Sequence, residues 1–203
     1  MLCLGAHSDD IEIGCAGTLL RWIRERNGDL EVTWVVLSAL DERATEARRS
    51  ARSLLRGASR VDVVLGEFAD GLLPAEFKRA KQFFSGLASD VRPDIVFSHF
   101  LGDRHQDHRL IGELTWQTWR RQVVLEYEIP KYEGDLAQPN CFVPLPKQIA
   151  RRKVGHLLKH FATQRSKDWF SEETFLALMR LRGIESRAES GYAEAFHARK
   201  FCL

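Results

Sequence analysis

The sequence predicts an α/β protein with a doubly wound, Rossmann-like fold: a mostly parallel sheet with helices on both faces. Three observations carry this. Strand-like and helix-like segments alternate over the first half of the chain. The strand segments are continuous apolar runs, as in a sheet buried on both faces, rather than apolar/polar alternations. Breakers fall between the segments at Asn27-Gly28, Gly57 and Asp70-Gly71.

The elements follow in order. "MLCLGAH" reads as a buried strand, "CAGTLLRWIRER" as a helix ended by Asn27-Gly28, and "LEVTWVVLSA" as a β-branched strand. "DERATEARRSARSLLRG" is a helix with acids in its first turn, basic residues later and Gly57 after it. "RVDVVLGEF" is the third strand. Pro74 opens the helix "PAEFKRAKQFFSGLASDV", and "PDIVFSHF" is the fourth strand. Further on, "RQVVLEYEIPKY" holds a strand, "NCFVPLP" reads as an irregular Pro-containing segment, and "PKQIARRKVGHLLKHFATQ" and "SEETFLALMRLRG" are helices. "SGYAEAFHARKF" is a final short element. No repeat or linker divides the chain, so residues 1–203 are expected to form one domain.

Composition narrows the function classes. With 44% hydrophobic and 29% charged residues, the chain is of the soluble globular type. No apolar run approaches the roughly 18 residues of a membrane span. The start carries no secretory signal pattern, and the cytoplasm is the expected compartment. Cys3, Cys15, Cys141 and Cys202 contain no CxxC pair, which points to reduced thiols rather than disulfides or a thiolate zinc cluster. A net charge of +2 advertises no nucleic-acid partner. The locally basic stretches "ERATEARRSARSLLR" and "RRKVGHLLKH" read as solvated faces of amphipathic helices.

Two polar clusters stand out. In an open α/β sheet, ligands gather at the carboxyl ends of the strands. His7, Asp9 and Asp10 follow the first strand, and His99, Asp103, His105, Asp107 and His108 follow the fourth. Both clusters should therefore share one edge of the sheet. His7 and Asp10, three apart in a turn entering a helix, can converge while Asp9 projects separately; His105 and His108 have the same spacing. Two imidazoles and a carboxylate suit a catalytic zinc with an open position, and the remaining carboxylate and histidine are what hydrolysis requires beside it. Each cluster alone reads more readily as a polar helix start, where acids cap free N–H groups. Their conjunction does not.

"AHSDDIEIGCAGTLL" together with "RHQDH" resembles the PIG-L/LmbE-type zinc de-N-acetylases, whose pattern is AHPDD-x-E near the N-terminus and HPDH later. The resemblance runs from "LCLGAHSDD" to "YAEAF". It departs at Ser8 and Gln106, where the family has proline, and the loss of those prolines is expected to loosen both turns. The resemblance implies that His7, Asp10 and His108 hold Zn2+, that Asp9 is the general base, and that His105 stabilises the oxyanion and bears on protonation of the leaving amine. It implies that Asp107 orients His105 and favours its charged form. "RATE" resembles an R-x-x-E helix of the family, making Arg43 a substrate contact, and Asp70 falls where the family binds sugar hydroxyls. The implied partner is a small-molecule N-acetyl amino sugar conjugate, with no nucleic acid and no membrane; a monomer and a homo-oligomer both remain open.

The rival readings are a metal-dependent phosphoesterase or esterase and a non-catalytic Rossmann-like binding module. No second set of bridging carboxylates supports a two-metal phosphoesterase. Gly14 and Gly17 do not make a GxGxxG fingerprint, and there is neither a GxxxxGK[ST] loop nor a GxSxG elbow. Tyr127, Tyr132 and Glu194 are further candidates for lining the pocket.

Overall fold

A computed structural model of the protein describes residues 1–201. Cys202, expected to be a reduced thiol, lies outside the described residues; Cys3, Cys15 and Cys141 are free.

Among the described residues, seven strands form one sheet. They are β1 (Leu2–Gly5), β2 (Glu31–Val36), β3 (Arg60–Leu65), β4 (Ile95–His99), β5 (Val123–Tyr127), β6 (Cys141–Pro144) and β7 (Ala193–His197). Their order is β3-β2-β1-β4-β5-β7-β6. The first five are parallel, and β7 joins antiparallel to both β5 and β6. The helices are α1 (Asp10–Glu25), α2 (Asp41–Leu54), α3 (Phe77–Asp90), α4 (Gln106–Thr118), α5 (Lys147–His160) and α6 (Glu172–Glu185).

Alternation along β1 shows how the layers are built. Cys3 packs in the core shared with Leu19 of α1, Ala51 of α2, Leu157 of α5 and Met179 of α6. Leu2 and Leu4 point the other way, into a core with Phe84 of α3 and Ile111 of α4. Both faces of the sheet are thus covered, and this is why its strands read as unbroken apolar runs.

Three details differ from the sequence expectation. "NCFVPLP" is not irregular: Cys141–Pro144 is the outermost strand, paired with β7. Pro144 is tolerated at the end of an edge strand because an edge leaves one side of its backbone unpaired. Helix α1 begins five residues earlier than expected, at Asp10 rather than Cys15, because its polar first turn is buried. The segment opened by Pro74 starts as a short 3-10 turn, Leu73–Glu76, before α3.

Candidate metal and catalytic site

β1 and β4 are neighbours, with Leu2 beside Val96 and Cys3 beside Phe97. The chain turns in opposite directions on leaving this pair, toward β2 on one side and β5 on the other. Their carboxyl ends form the topological switch point where doubly wound sheets bind ligands. The two sequence clusters, about a hundred residues apart, meet here.

The first cluster is fixed by the entry into α1. Asp10 occupies its first turn, and the Asp10 carboxylate accepts the backbone N–H of His7 at 2.7 Å. Helix α1 lies close to the sheet because Gly14 and Gly17 have no side chain: a Cβ at Gly14 would stand 2.3 Å from the Tyr127 ring, and one at Gly17 2.5 Å from Leu145. The second cluster is fixed by the entry into α4. His105 is the N-cap of that helix, its Nδ1 accepting the Asp107 N–H at 3.3 Å.

Three donor atoms converge. His7 Nδ1 lies 3.1 Å from His108 Nε2 and 3.3 Å from Asp10 Oδ2, and His108 Nε2 lies 3.5 Å from Asp10 Oδ2. All three residues are buried. Two imidazole lone pairs at this separation repel unless a proton or a cation sits between them. The edges of the triangle match the spacing of about 3.3 Å between ligands held tetrahedrally at roughly 2.0–2.1 Å from one ion. The donor set therefore fits a divalent metal.

The outer ring nitrogens support the same fit. His108 Nδ1 faces Asp103 Oδ2 at 2.9 Å, and His7 Nε2 faces Asp70 Oδ1 at 2.9 Å and Asp107 Oδ2 at 3.4 Å. A carboxylate on the outer nitrogen fixes the tautomer that presents the other nitrogen's lone pair. His99 Nε2, which accepts the Ala6 N–H at 3.0 Å, lies 3.2 Å from Asp10 Oδ2, and the His99 ring stacks on His108.

Titration follows from this packing. Burial penalises the charged form of Asp10, but His108, His7 and His99 outweigh it and hold its pKa well below 3.8. Burial, with the neighbouring His99, lowers His108 to about 4, so it offers a neutral lone pair. For His7 burial acts downward, and Asp10, Asp107 and Asp70 overcome it and raise its pKa well above 6.5. Asp9 is raised from 3.8 by burial and by Asp10, against the lowering pull of Arg43 and His7. His105 is lowered from 6.5, first by burial and then by His7.

A cavity of about 160 Å³ opens over these groups, its walls including Arg43, Lys131, Tyr132 and Trp169.

The family model described as "GlcNAc-PI de-N-acetylase" matches residues 2–119. The chain belongs to this PIG-L family. Similar solved structures include a conserved protein of Thermus thermophilus, with 22% identity over 100% of this chain and 95% of that one at a TM-score of 0.77. The N,N'-diacetylchitobiose deacetylase of Pyrococcus horikoshii shares 20% identity over 98% and 82%, at 0.75. The 4-carboxy-2-hydroxymuconate hydratase of Pseudomonas putida shares 18% over 100% and 96%, also at 0.75. At these identities the likeness is one of fold.

Set beside the PIG-L pattern, the expected residues meet at one place, with several contacts redrawn. Arg43 reaches Asp9 Oδ1 at 3.0 Å and lies 3.7 Å from Asp70. Asp70 contacts His7 while leaving most of its side chain exposed. The Asp107 carboxylate does not bond the His105 ring: it accepts the N–H groups of Gly71 at 2.8 Å and Leu73 at 3.1 Å. His105 is oriented instead by the backbone of Asp107, and its charged form is not favoured. At the two positions where the PIG-L pattern has proline, the side chains present here tether the turns. Ser8 Oγ donates to the Arg43 carbonyl at 2.9 Å, and Gln106 Nε2 to the Gly71 carbonyl at 3.0 Å.

Of the further pocket candidates only Tyr132 lines the cavity. Tyr127 is buried, its hydroxyl donating to the Leu4 carbonyl at 2.6 Å. Glu194 is buried against Lys153 at 2.6 Å. Sequence reasoning placed Asp103 and His99 in the second cluster without a role, and missed Lys131, which carries no motif signal.

Proposed function

We propose that this protein is a zinc-dependent hydrolase that removes the acetyl group from an N-acetyl amino sugar of a small-molecule conjugate, in a cytoplasmic setting. The observation that carries the reading is the buried triangle of His7 Nδ1, Asp10 Oδ2 and His108 Nε2, with Asp9 and His105 beside it in one cavity. PIG-L membership and the diacetylchitobiose deacetylase fold point to the same chemistry.

His7, Asp10 and His108 would hold the ion, which when bound supplies Lewis acidity toward the acetyl carbonyl and lowers the pKa of a coordinated water. Asp9 takes the proton of the attacking water. Its raised pKa improves it as a base, and the Arg43 guanidinium keeps it from staying protonated. His105 accepts the Asp107 N–H through Nδ1, so its own ring proton sits on Nε2. A neutral imidazole donating from Nε2 stabilises the developing oxyanion, an interaction worth roughly 10²–10³ in kcat. With His105 neutral, the proton delivered to the leaving amine comes from Asp9. Asp107 and Asp70 hold His7, while Arg43 and Asp70, at the cavity mouth, also meet the sugar.

Acetate release from N-acetylglucosaminyl compounds by the zinc-loaded protein tests this. A second reading is addition of water to an unsaturated carboxylate, favoured by the shared fold with the muconate hydratase. Loss of conjugated absorbance on offering 4-carboxy-2-hydroxymuconate, without acetate release from the sugars, would select it.

A further inference from the structure

The two basic stretches of the sequence come together. Helices α2 and α5 pack against each other, and a groove of about 650 Å³ runs beside them, lined by Arg48, Arg49, Arg52, Arg56, Lys159 and His160. Among the described residues, no carboxylate lines it. Among the described residues, Arg43 is the one α2 arginine that pairs with an acid, and it does so at the active site. The five groove cations have no ion-pair partner among the described residues, in a chain whose net charge is only +2.

The arrangement is unfavourable as a plain helix surface. Arg48 and Arg52 stand four residues apart on α2, a spacing at which like charges face each other and destabilise a helix, and Arg56 follows just beyond the helix end at Leu54. Alternating signs at those positions would serve solvation better.

A second observation points to a ligand. His160 lines the groove, is 8% exposed, and has both ring nitrogens buried without a hydrogen-bond partner. Its ring stacks on His156 at 4.2 Å. A buried imidazole with neither nitrogen satisfied is a polar group awaiting a partner.

We propose that this groove, apart from the active site, binds an oligophosphate or a phosphorylated small molecule. Guanidinium groups pair with phosphate oxygens bidentately, and a cluster of four along α2 and just past its end suits more than one phosphate. The groove is open to solvent and confined to one helix pair, an extent that fits a compact anion rather than a nucleic-acid track.

Calorimetric titration of the zinc-loaded protein with inorganic tripolyphosphate at about 0.15 M salt tests the site. Saturable binding of one ligand per chain is expected. It should weaken at least about tenfold in R52A/R56A and stay unchanged in R24A/R26A, whose arginines are exposed at the end of α1. Far-UV circular dichroism checks that each variant is folded. A nucleoside triphosphate binding more tightly than tripolyphosphate identifies a nucleotide as the source; equal binding identifies the phosphate chain alone; tighter binding to phosphoinositide-containing vesicles identifies a lipid headgroup. Non-saturable binding, binding indifferent to R52A/R56A, or tighter capture of a short oligoribonucleotide would overturn the proposal.

Discussion

Asp103 Oδ2 lies 2.9 Å from His108 Nδ1 and receives the Lys131 ammonium at 2.8 Å, so one carboxylate oxygen joins a candidate metal ligand to a buried cation. Asp103 Oδ1 accepts the His105 N–H at 2.8 Å, and Lys131 also pairs with Asp135 at 2.7 Å. His105, through its backbone, and His108, through its ring, are thereby both set by one side chain. The loop that carries Tyr132 is tied to the same point.

Asp103→Ala should weaken zinc binding about 10–100-fold, the usual cost of losing a partner behind a metal-binding histidine. Lys131→Met should act in the same direction, and Lys131→Arg should retain part of the affinity because a cation remains. Competition against a chromogenic chelator reads this without any activity assay. Unchanged affinity in Asp103→Ala would remove Asp103 from the support of His108.

Asp9 makes no contact within the donor triangle, so Asp9→Asn should keep zinc while kcat falls about 10²–10⁴-fold. Equal loss of zinc in Asp9→Asn and His108→Ala would contradict the division of roles.

The pH profile gives a signed test of Arg43. A base must be deprotonated, so activity falls on the acid side as pH drops through the pKa of Asp9. Arg43 acts to lower that pKa. Arg43→Ala should therefore move the acid limb of kcat/KM to higher pH, whereas an unmoved limb with a raised KM would leave Arg43 as a substrate contact alone.

Gln106 touches the Asp70 loop, not the donor triangle. Gln106→Ala should raise KM for an N-acetyl sugar with little change in kcat, since Asp70 sits at the mouth of the cavity. A kcat effect without a KM effect would place Gln106 in the chemical step.

Glu194 accepts the N–H groups of Gly17 at 2.8 Å and Thr18 at 2.6 Å as well as the Lys153 ammonium, all of them buried. Lys153→Met leaves an unpaired buried carboxylate and should cost about 3–5 kcal/mol in thermal or denaturant unfolding. Lys153→Met with Glu194→Gln should recover part of that loss. A single variant as stable as the wild type would show that water reaches Glu194.

The strands of the parallel half were legible as segments because they are covered on both faces and so read as apolar runs; their order in the sheet comes from the structure. β6 was not legible: a four-residue edge strand ending in Pro144 lacks both length and alternation. At the site, residue types and spacing brought His7, Asp9, Asp10, His105, Asp107 and His108 together. What could not be read was which carboxylate faces which ring. Asp107 and Asp70 converge on His7 because the loop at Gly71 closes over α4, a contact between segments some 35 residues apart. Lys131 was invisible for the same reason: it reaches Asp103 from the loop after β5, and no local pattern marks it.

Metal content of the purified wild type beside Asp10→Ala, each assayed for acetate release from an N-acetylglucosaminyl compound, tests the central claim most directly. About one zinc per chain and acetate release are expected in the wild type, with loss of both in Asp10→Ala and the fold intact. A wild type that binds no zinc when supplied with it, or a variant that keeps its zinc and its activity, would contradict the donor triangle as the catalytic centre.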